Sequence, residues 1–272
     1  MKPFSANWLA AREPHDARAR NPAVLDALVG AVAALSSIRV VDLGCGTGST
    51  LRAVAPRLPV PQHWQLVDND LGLLERAARL EPPGGARIAT KAVDLVRDLE
   101  AALDGAIDLV TASALFDLVS GEWLERFVVE TAARRLAVYV ALTHDDNIGL
   151  DPSDPLDDAV IAAVHRHQGR DKGFGPALGA GAAKTAIACF ERAGYRVIQG
   201  RSDWQLRPQD REMQTAVLEV WAGAACKERA LALAEVVGWA ARRRTLVAAG
   251  RSALHLGHVD FLALPDENQQ RR

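Results

Sequence analysis

Short apolar runs alternate with amphipathic stretches along most of the chain, and the lengths of the two differ in a way that separates strands from helices. The runs Ile38 to Asp42, His63 to Val67, Arg87 to Ala92, Ile107 to Ala112 and Leu136 to Leu142 have the short span and branched apolar content of strands. The stretches between them space their apolar residues three and four apart, which predicts helices over Ser49 to Ala55, Leu71 to Leu80, Arg97 to Leu103 and Gly121 to Ala133. Strands separated by helices need crossover connections, so the expected class is α/β, doubly wound, with a mainly parallel sheet covered on both faces.

The flanks extend this plan. Upstream, Trp8 to Arg20 precedes Pro22, a first-turn proline suited to open a helix over Ala23 to Leu35, and residues 1–36 are expected to form an N-terminal helical lid. Downstream of the fifth strand lies a loop rich in turn residues (Pro152, Pro155, Gly169, Gly173, Gly175, Pro176) around a short helix at Leu156 to Gln168. A helix at Ala182 to Ala193 should stop at Gly194, whose left-handed freedom suits a C-cap, and lead into a strand at Tyr195 to Gln199. Two late helices, Pro208 to Ala225 and Glu228 to Ala249, come before a last strand at His258 to Leu264. The sum is a seven-stranded sheet in a domain spanning 37–272, with a helical cap inserted over 200–256.

Composition narrows the classes. At 272 residues, with 49% hydrophobic and 24% charged positions, the chain can bury a substantial core without staples. A formal charge of −2 gives no global pull toward nucleic acid or an anionic membrane, so neither is expected as a partner. Cys45, Cys189 and Cys226 are scattered and odd in number, which suits a reducing, cytoplasmic setting. The apolar stretch Ala23 to Leu35 carries Asp26 and is too short to span a bilayer, and the polar tail Asp266 to Arg272 is expected to fray.

The chemistry begins at Val40-Val41-Asp42-Leu43-Gly44-Cys45-Gly46-Thr47-Gly48, a strand running into a glycine-rich bend and then a helix. Alternate glycines admit a ligand close to the backbone, and the helix start points amide donors at it. A dinucleotide fingerprint, GxGxxG, would need glycine where Ser49 stands, and Asp42 suits a cationic amino group better than a pyrophosphate. Taken singly, the bend could be only a tight turn, and Asp68, Asp94 and Asp108 only strand-end caps.

Taken together, VVDLGCGTG and three later segments resemble, in order, those of class I S-adenosylmethionine (SAM)-dependent methyltransferases, over Ile38 to Leu142. The resemblance implies a Rossmann-like fold with SAM as cofactor. It places Asp42, Gly44, Cys45, Gly46 and Gly48 in the cofactor loop and makes Asp68, followed by Asn69, the acidic residue on the ribose hydroxyls. It also puts the Asp94 side chain and the Leu95 amide at the adenine, and Ser113, at the end of the fourth strand, beside the methionine part. Arg20 of the lid is a positional candidate for the cofactor carboxylate, with Trp8 and Arg12 as further lid residues.

Methyl transfer needs alignment and exclusion of water more than a dedicated base. Candidates past the strand ends are Asp117, either facing the methyl group or capping a helix, and His144, either a base or part of a solvated turn. His165 and His167 should face apart and share no metal. Arg170 to Pro176 is either a lid for an anionic substrate or a plain surface loop, and Arg242-Arg243-Arg244, which looks like a phosphate or carboxylate clamp, is expected on a solvated face because three successive helical residues spread around the helix. The function expected is methylation of an O or N atom of a small molecule; the alternative is a non-catalytic SAM-binding partner or sensor.

Overall fold

The computed structural model describes residues 5–59, 61–81, 83–229 and 231–266. Two helices lead, α1 (Ala6–Ala19) and α2 (Pro22–Val32), the second opened by Pro22 and capped by the Asn21 side chain on the Val24 amide. There follow β1 (Ile38–Leu43), α3 (Ser49–Val54), β2 (Gln62–Asp68), α4 (Leu71–Ala78), β3 (Arg87–Ala92), α5 (Leu99–Ala102), β4 (Leu109–Ser113), α6 (Gly121–Ala133) and β5 (Ala137–Asp151). The second half comprises α7 (Asp157–Gln168), α8 (Ala182–Arg192), β6 (Tyr195–Arg201), β7 (Trp204–Leu206), α9 (Arg211–Glu228), α10 (Leu233–Ala248) and β8 (Ala253–Pro265).

The sheet runs β3-β2-β1-β4-β5-β8-β6, parallel as far as β5, with β8 antiparallel to both neighbours. The strand order reverses between β1 and β4, and crevices at such a reversal are where ligands collect in open α/β sheets. Alternation along β5 feeds two cores. Val138 and Val140 join Phe116, Phe127, Phe190 and Phe261 under α6 and α8, while Tyr139 and Ala141 join Leu28, Leu51 and Leu74 under α2, α3 and α4.

The sheet has eight strands rather than the expected seven, and one of the seven is longer than expected. Trp204–Leu206 adds the short β7 along the first half of β8. In addition, β5 does not end at Leu142 but continues to Asp151, pairing Ile148 with Leu256 and Leu150 with Leu254, across irregularities at Val140/Thr143 and His144/Ile148. The stretch His144 to Asn147 that looks like a polar turn is therefore part of a long, bulged strand. Against this part of the sheet α7, α9 and α10 share a third core built on Val160, Val217, Trp221 and Trp239 with Leu254 and Leu256 of β8.

Arg243 departs from its expected solvated face. It is fully buried, donates to the Pro152 carbonyl at 2.6 Å and pairs with Asp157 of α7, which also accepts from Trp239 Nε1 at 2.8 Å. Its neighbour Arg242 is half exposed and bidentate on Asp154. Among the described residues no helix is long and apolar enough to cross a membrane. The expected fraying tail lies outside the described residues beyond Asp266.

Candidate cofactor cleft

The bend after β1 is forced by its glycines. Gly46 has φ +54° and Gly48 φ +83°, and a Cβ on Gly48 would lie 2.6 Å from Leu80 Cδ1, so a side chain there is excluded twice over. Two backbone bonds set the turn: the Cys45 amide donates to Val67 O at 2.9 Å and the Gly48 amide to Cys45 O at 2.8 Å. The Asp68 carboxylate, one strand over, accepts from the Gly46 amide at 2.8 Å with Oδ2 and from the Asp70 amide at 3.0 Å with Oδ1. Asp70 then caps α4 through the amides of Gly72 and Leu73.

These elements wall a cleft of about 790 Å³ at the carboxyl ends of β1, β2 and β4. That volume lies within the roughly 300–1,000 Å³ typical of small-molecule pockets. Gly44, Cys45, Gly46, Asp68, Asn69, Asp94, Leu95 and Ser113, all expected at the cofactor, line it together. The wall at Asp94 and Leu95 is stiffened where Trp123 Nε1 donates to Leu95 O at 2.6 Å and Asp94 Oδ1 accepts the Val96 amide at 3.0 Å. The Cys45 thiol is pushed up by burial, with Asp42 and Asp68 adding to the shift, so it stands in the wall as a neutral group.

Leu9, Arg12 and Asp16 of α1 line the cleft, as do Lys172, Gly173 and Phe174 of the loop after α7. Arg12 is bidentate on Asp16, at 2.8 and 3.1 Å, and Asp16 also accepts from Trp204 Nε1 at 3.0 Å. Glu13 pairs with Arg52 of α3, whose Nη1 reaches Thr47 O at 2.7 Å, so α1 is tied to the cofactor loop itself. On the other side Phe174 meets Trp123 edge-on at 5.5 Å.

Several expected site residues stand off the wall. Asp42 is fully buried beneath the bend; its Oδ1 accepts from Thr111 Oγ1 at 2.7 Å, its Oδ2 has no partner, and burial pushes it up to about 7 despite the Thr111 bond and nearby Arg20. Gly48 turns toward Leu80 rather than into the cleft. Arg20 lies behind Ser113, donating to its Oγ at 3.4 Å and to Tyr139 Oη at 3.3 Å. Asp117 is half-buried, in the turn after β4, with Oδ1 enclosed and unpartnered, and burial pushes it up to about 6. His144 is buried within the prolonged β5, so the solvated-turn alternative does not hold, and burial lowers it to about 4. Asp108, at the opposite end of β4, is bidentate on Arg39.

Leu9, Asp16, Leu71 and Leu118 also line the cleft and were not singled out in the sequence. The lone available signal was the placement of Leu9 and Asp16 in a polar helix ahead of β1, which does not say which face turns inward.

The family described as "Methyltransferase domain" matches residues 40–138, from β1 into β5. No curated protein matches the sequence. Among solved structures, a cyclopropane-fatty-acyl-phospholipid synthase-like protein from Lactobacillus casei superposes with TM-score 0.53 at 15% identity, covering 96% of this chain and 94% of that one. A SAM-dependent methyltransferase from Geobacter sulfurreducens, in complex with S-adenosyl-L-homocysteine, aligns at TM-score 0.47 and 17% identity over 98% of this chain and 100% of that one. The match to the methyltransferase domain covers the strands that build the glycine bend, and the chain shares its fold with the Lactobacillus casei protein.

Proposed function

We propose that the cleft holds SAM with its adenosyl group between the Asp68 and Asp94 loops and its methionine part against the glycine bend and Ser113, and that the acceptor is an O or N atom of a small molecule. The observation that carries this reading is the Asp68 carboxylate, fixed by two backbone amides at the cleft rim. Each of its oxygens keeps a free lone pair, so it can accept from both ribose hydroxyls in a charge-assisted pair. Asp94 and the Leu95 amide stand where an adenine edge would be read, and exposed Leu71 offers an apolar face to the ring.

When bound, SAM supplies a methyl group already activated by its sulfonium. The chain's contribution is to hold and dehydrate: α1 and the Lys172–Phe174 loop close the cleft on two sides, which favours alignment and keeps water from competing. Arg20 acts indirectly, orienting the Ser113 hydroxyl from behind. Asp42 lies beneath the bend and fixes its base through Thr111. No base is assigned on the cleft wall, because Asp117 and His144 both lie off it.

Calorimetric titration with S-adenosylhomocysteine and, separately, NAD tests the reading. Tight binding of the first and none of the second is expected; the reverse would sink it. Methylated product from SAM and an acceptor separates an enzyme from a non-catalytic SAM-binding partner.

A further inference from the structure

Three cations line the cleft, and they differ in what holds them. Arg12 is bidentate on Asp16, and exposed Arg97 stands 3.6 Å from Asp94. Lys172 is half-buried and has no carboxylate at ion-pair distance among the described residues; its Nζ donates to the His167 carbonyl at 2.8 Å, which leaves two of its three donors free. Glu228, the carboxylate whose field reaches it, is engaged by His167 at 3.1 Å and by Arg170 at 2.7 Å. Burial, with Lys227 and Arg170 nearby, lowers the ammonium from its ordinary pKa, as befits a cation short of negative charge.

The loop that presents Lys172 is held in shape. Asp171 Oδ1 accepts from the Gly173 and Gly175 amides at 2.6 and 3.0 Å. Beyond Gly175, Ala177 bridges to Ser120 and the Leu178 amide donates to Val119 O at 2.9 Å, so the loop hangs from the segment that leaves β4. Lys172 and Phe174 thereby wall the same cavity as Ser113, Leu115 and Leu118.

That cavity has no unengaged base. Among the described residues no His, Glu or Tyr lines it. Asp16 is taken by Arg12 and Trp204, Asp70 by the amides it caps, and Asp94 by the Val96 amide and Arg97. A hydroxyl or ammonium acceptor must give up a proton on transfer, whereas a carboxylic acid, with an ordinary pKa of about 4, arrives already ionised.

We propose that Lys172 is the acceptor-binding residue of the cleft, that the acceptor is a small carboxylic acid bound as its anion, and that the methyl group goes to a carboxylate oxygen. This rests on the cofactor reading above and names the class of the second substrate. The ammonium holds one oxygen of the carboxylate and leaves the other to attack. A lone pair of that oxygen forms the new O–C bond, and the C–S bond breaks with its electron pair left on sulfur. The products are a neutral methyl ester and S-adenosylhomocysteine, and no proton is released.

The test uses the full chain saturated with S-adenosylhomocysteine, titrated calorimetrically with benzoate, benzyl alcohol and benzylamine as anionic, neutral and cationic probes of similar size. Benzoate should bind at least about tenfold more tightly than the other two, about tenfold more weakly to Lys172→Gln, and within about threefold of wild type to Lys172→Arg. S-adenosylhomocysteine affinity should stay within about twofold in both variants, which also reports that they fold. If it instead falls in Lys172→Gln as far as benzoate affinity does, the lysine serves the cofactor carboxylate and the proposal is overturned. Equal or tighter binding of benzyl alcohol or benzylamine would overturn it as well. So would benzoate binding unchanged in Lys172→Gln, or no benzoate binding at millimolar concentration. With SAM and 4-hydroxybenzoate, a probe bearing both groups, the product should be the methyl ester; a methyl ether, or no transfer with the probe bound, would count against the carboxylate. The selectivity among probes needs no variant and decides the matter if a substitution unfolds the chain. Failure of the wild-type chain to bind S-adenosylhomocysteine would instead sink the cofactor reading.

Discussion

Asp68 and Gly46 are joined by a 2.8 Å hydrogen bond from the glycine amide to the aspartate Oδ2, which makes the bend after β1 and the end of β2 one rigid cradle. The bond ties the side chain proposed to clasp the ribose to the backbone that lies against the rest of the ligand. Pre-organisation of this kind lowers the ordering cost of binding.

Asp68→Ala should weaken S-adenosylhomocysteine binding by about 2 kcal/mol, roughly thirtyfold, since it removes a charge-assisted acceptor and frees the Gly46 amide. Calorimetry on the variant is the check, and affinity equal to wild type would rule out the ribose role.

Gly48→Ala should destabilise the fold by about 1–3 kcal/mol, because the added methyl is held at positive φ and driven against Leu80. A second variant, Gly48→Ala with Leu80→Ala, should recover only the part due to the clash. Urea denaturation of both gives the split.

Asp42 imposes a pH dependence whose sign follows from its raised pKa of about 7. Between about pH 4 and pH 7 the folded chain holds this proton more tightly than the unfolded chain does, so stability falls as pH rises through that window. Asp42→Asn should flatten the fall: relative to wild type it should gain stability at pH 8 and lose that advantage near pH 4.5. Urea melts at the two values test this, and parallel pH profiles for the two proteins would contradict the assignment.

Arg243→Met should cost about 3–5 kcal/mol, since it strands the buried Asp157 carboxylate with no counter-charge and only the Trp239 indole and the Asp154 amide as partners. Arg242→Met, at a half-exposed pair, should cost no more than about 1 kcal/mol. Chemical denaturation of the two single variants compares them directly, and equal losses would show that burial does not separate the pairs.

The parts of this fold that were legible in the sequence are those fixed by local pattern. The glycine bend shows in three alternating residues, and β3 and α6 keep their expected bounds because their periodicity is uninterrupted. The distal half of β5 was hidden because His144-Asp145-Asp146-Asn147 breaks the alternation. What holds that half in the sheet is pairing with a remote segment, Ile148 on Leu256 and Leu150 on Leu254. Arg243 was misplaced for a related reason: charge argues for solvent, and the partner that overrides it, Asp157, stands 86 residues away.

The bond from the Trp204 indole to Asp16 has a consequence for traffic through the molecule. Trp204 lies in β7, paired to β8, and Asp16 in α1, so displacing the leading helix must break a bond to the sheet. The hinge side of the cleft is thereby anchored to the far edge of the sheet, and the indole bond sets part of the cost of opening it.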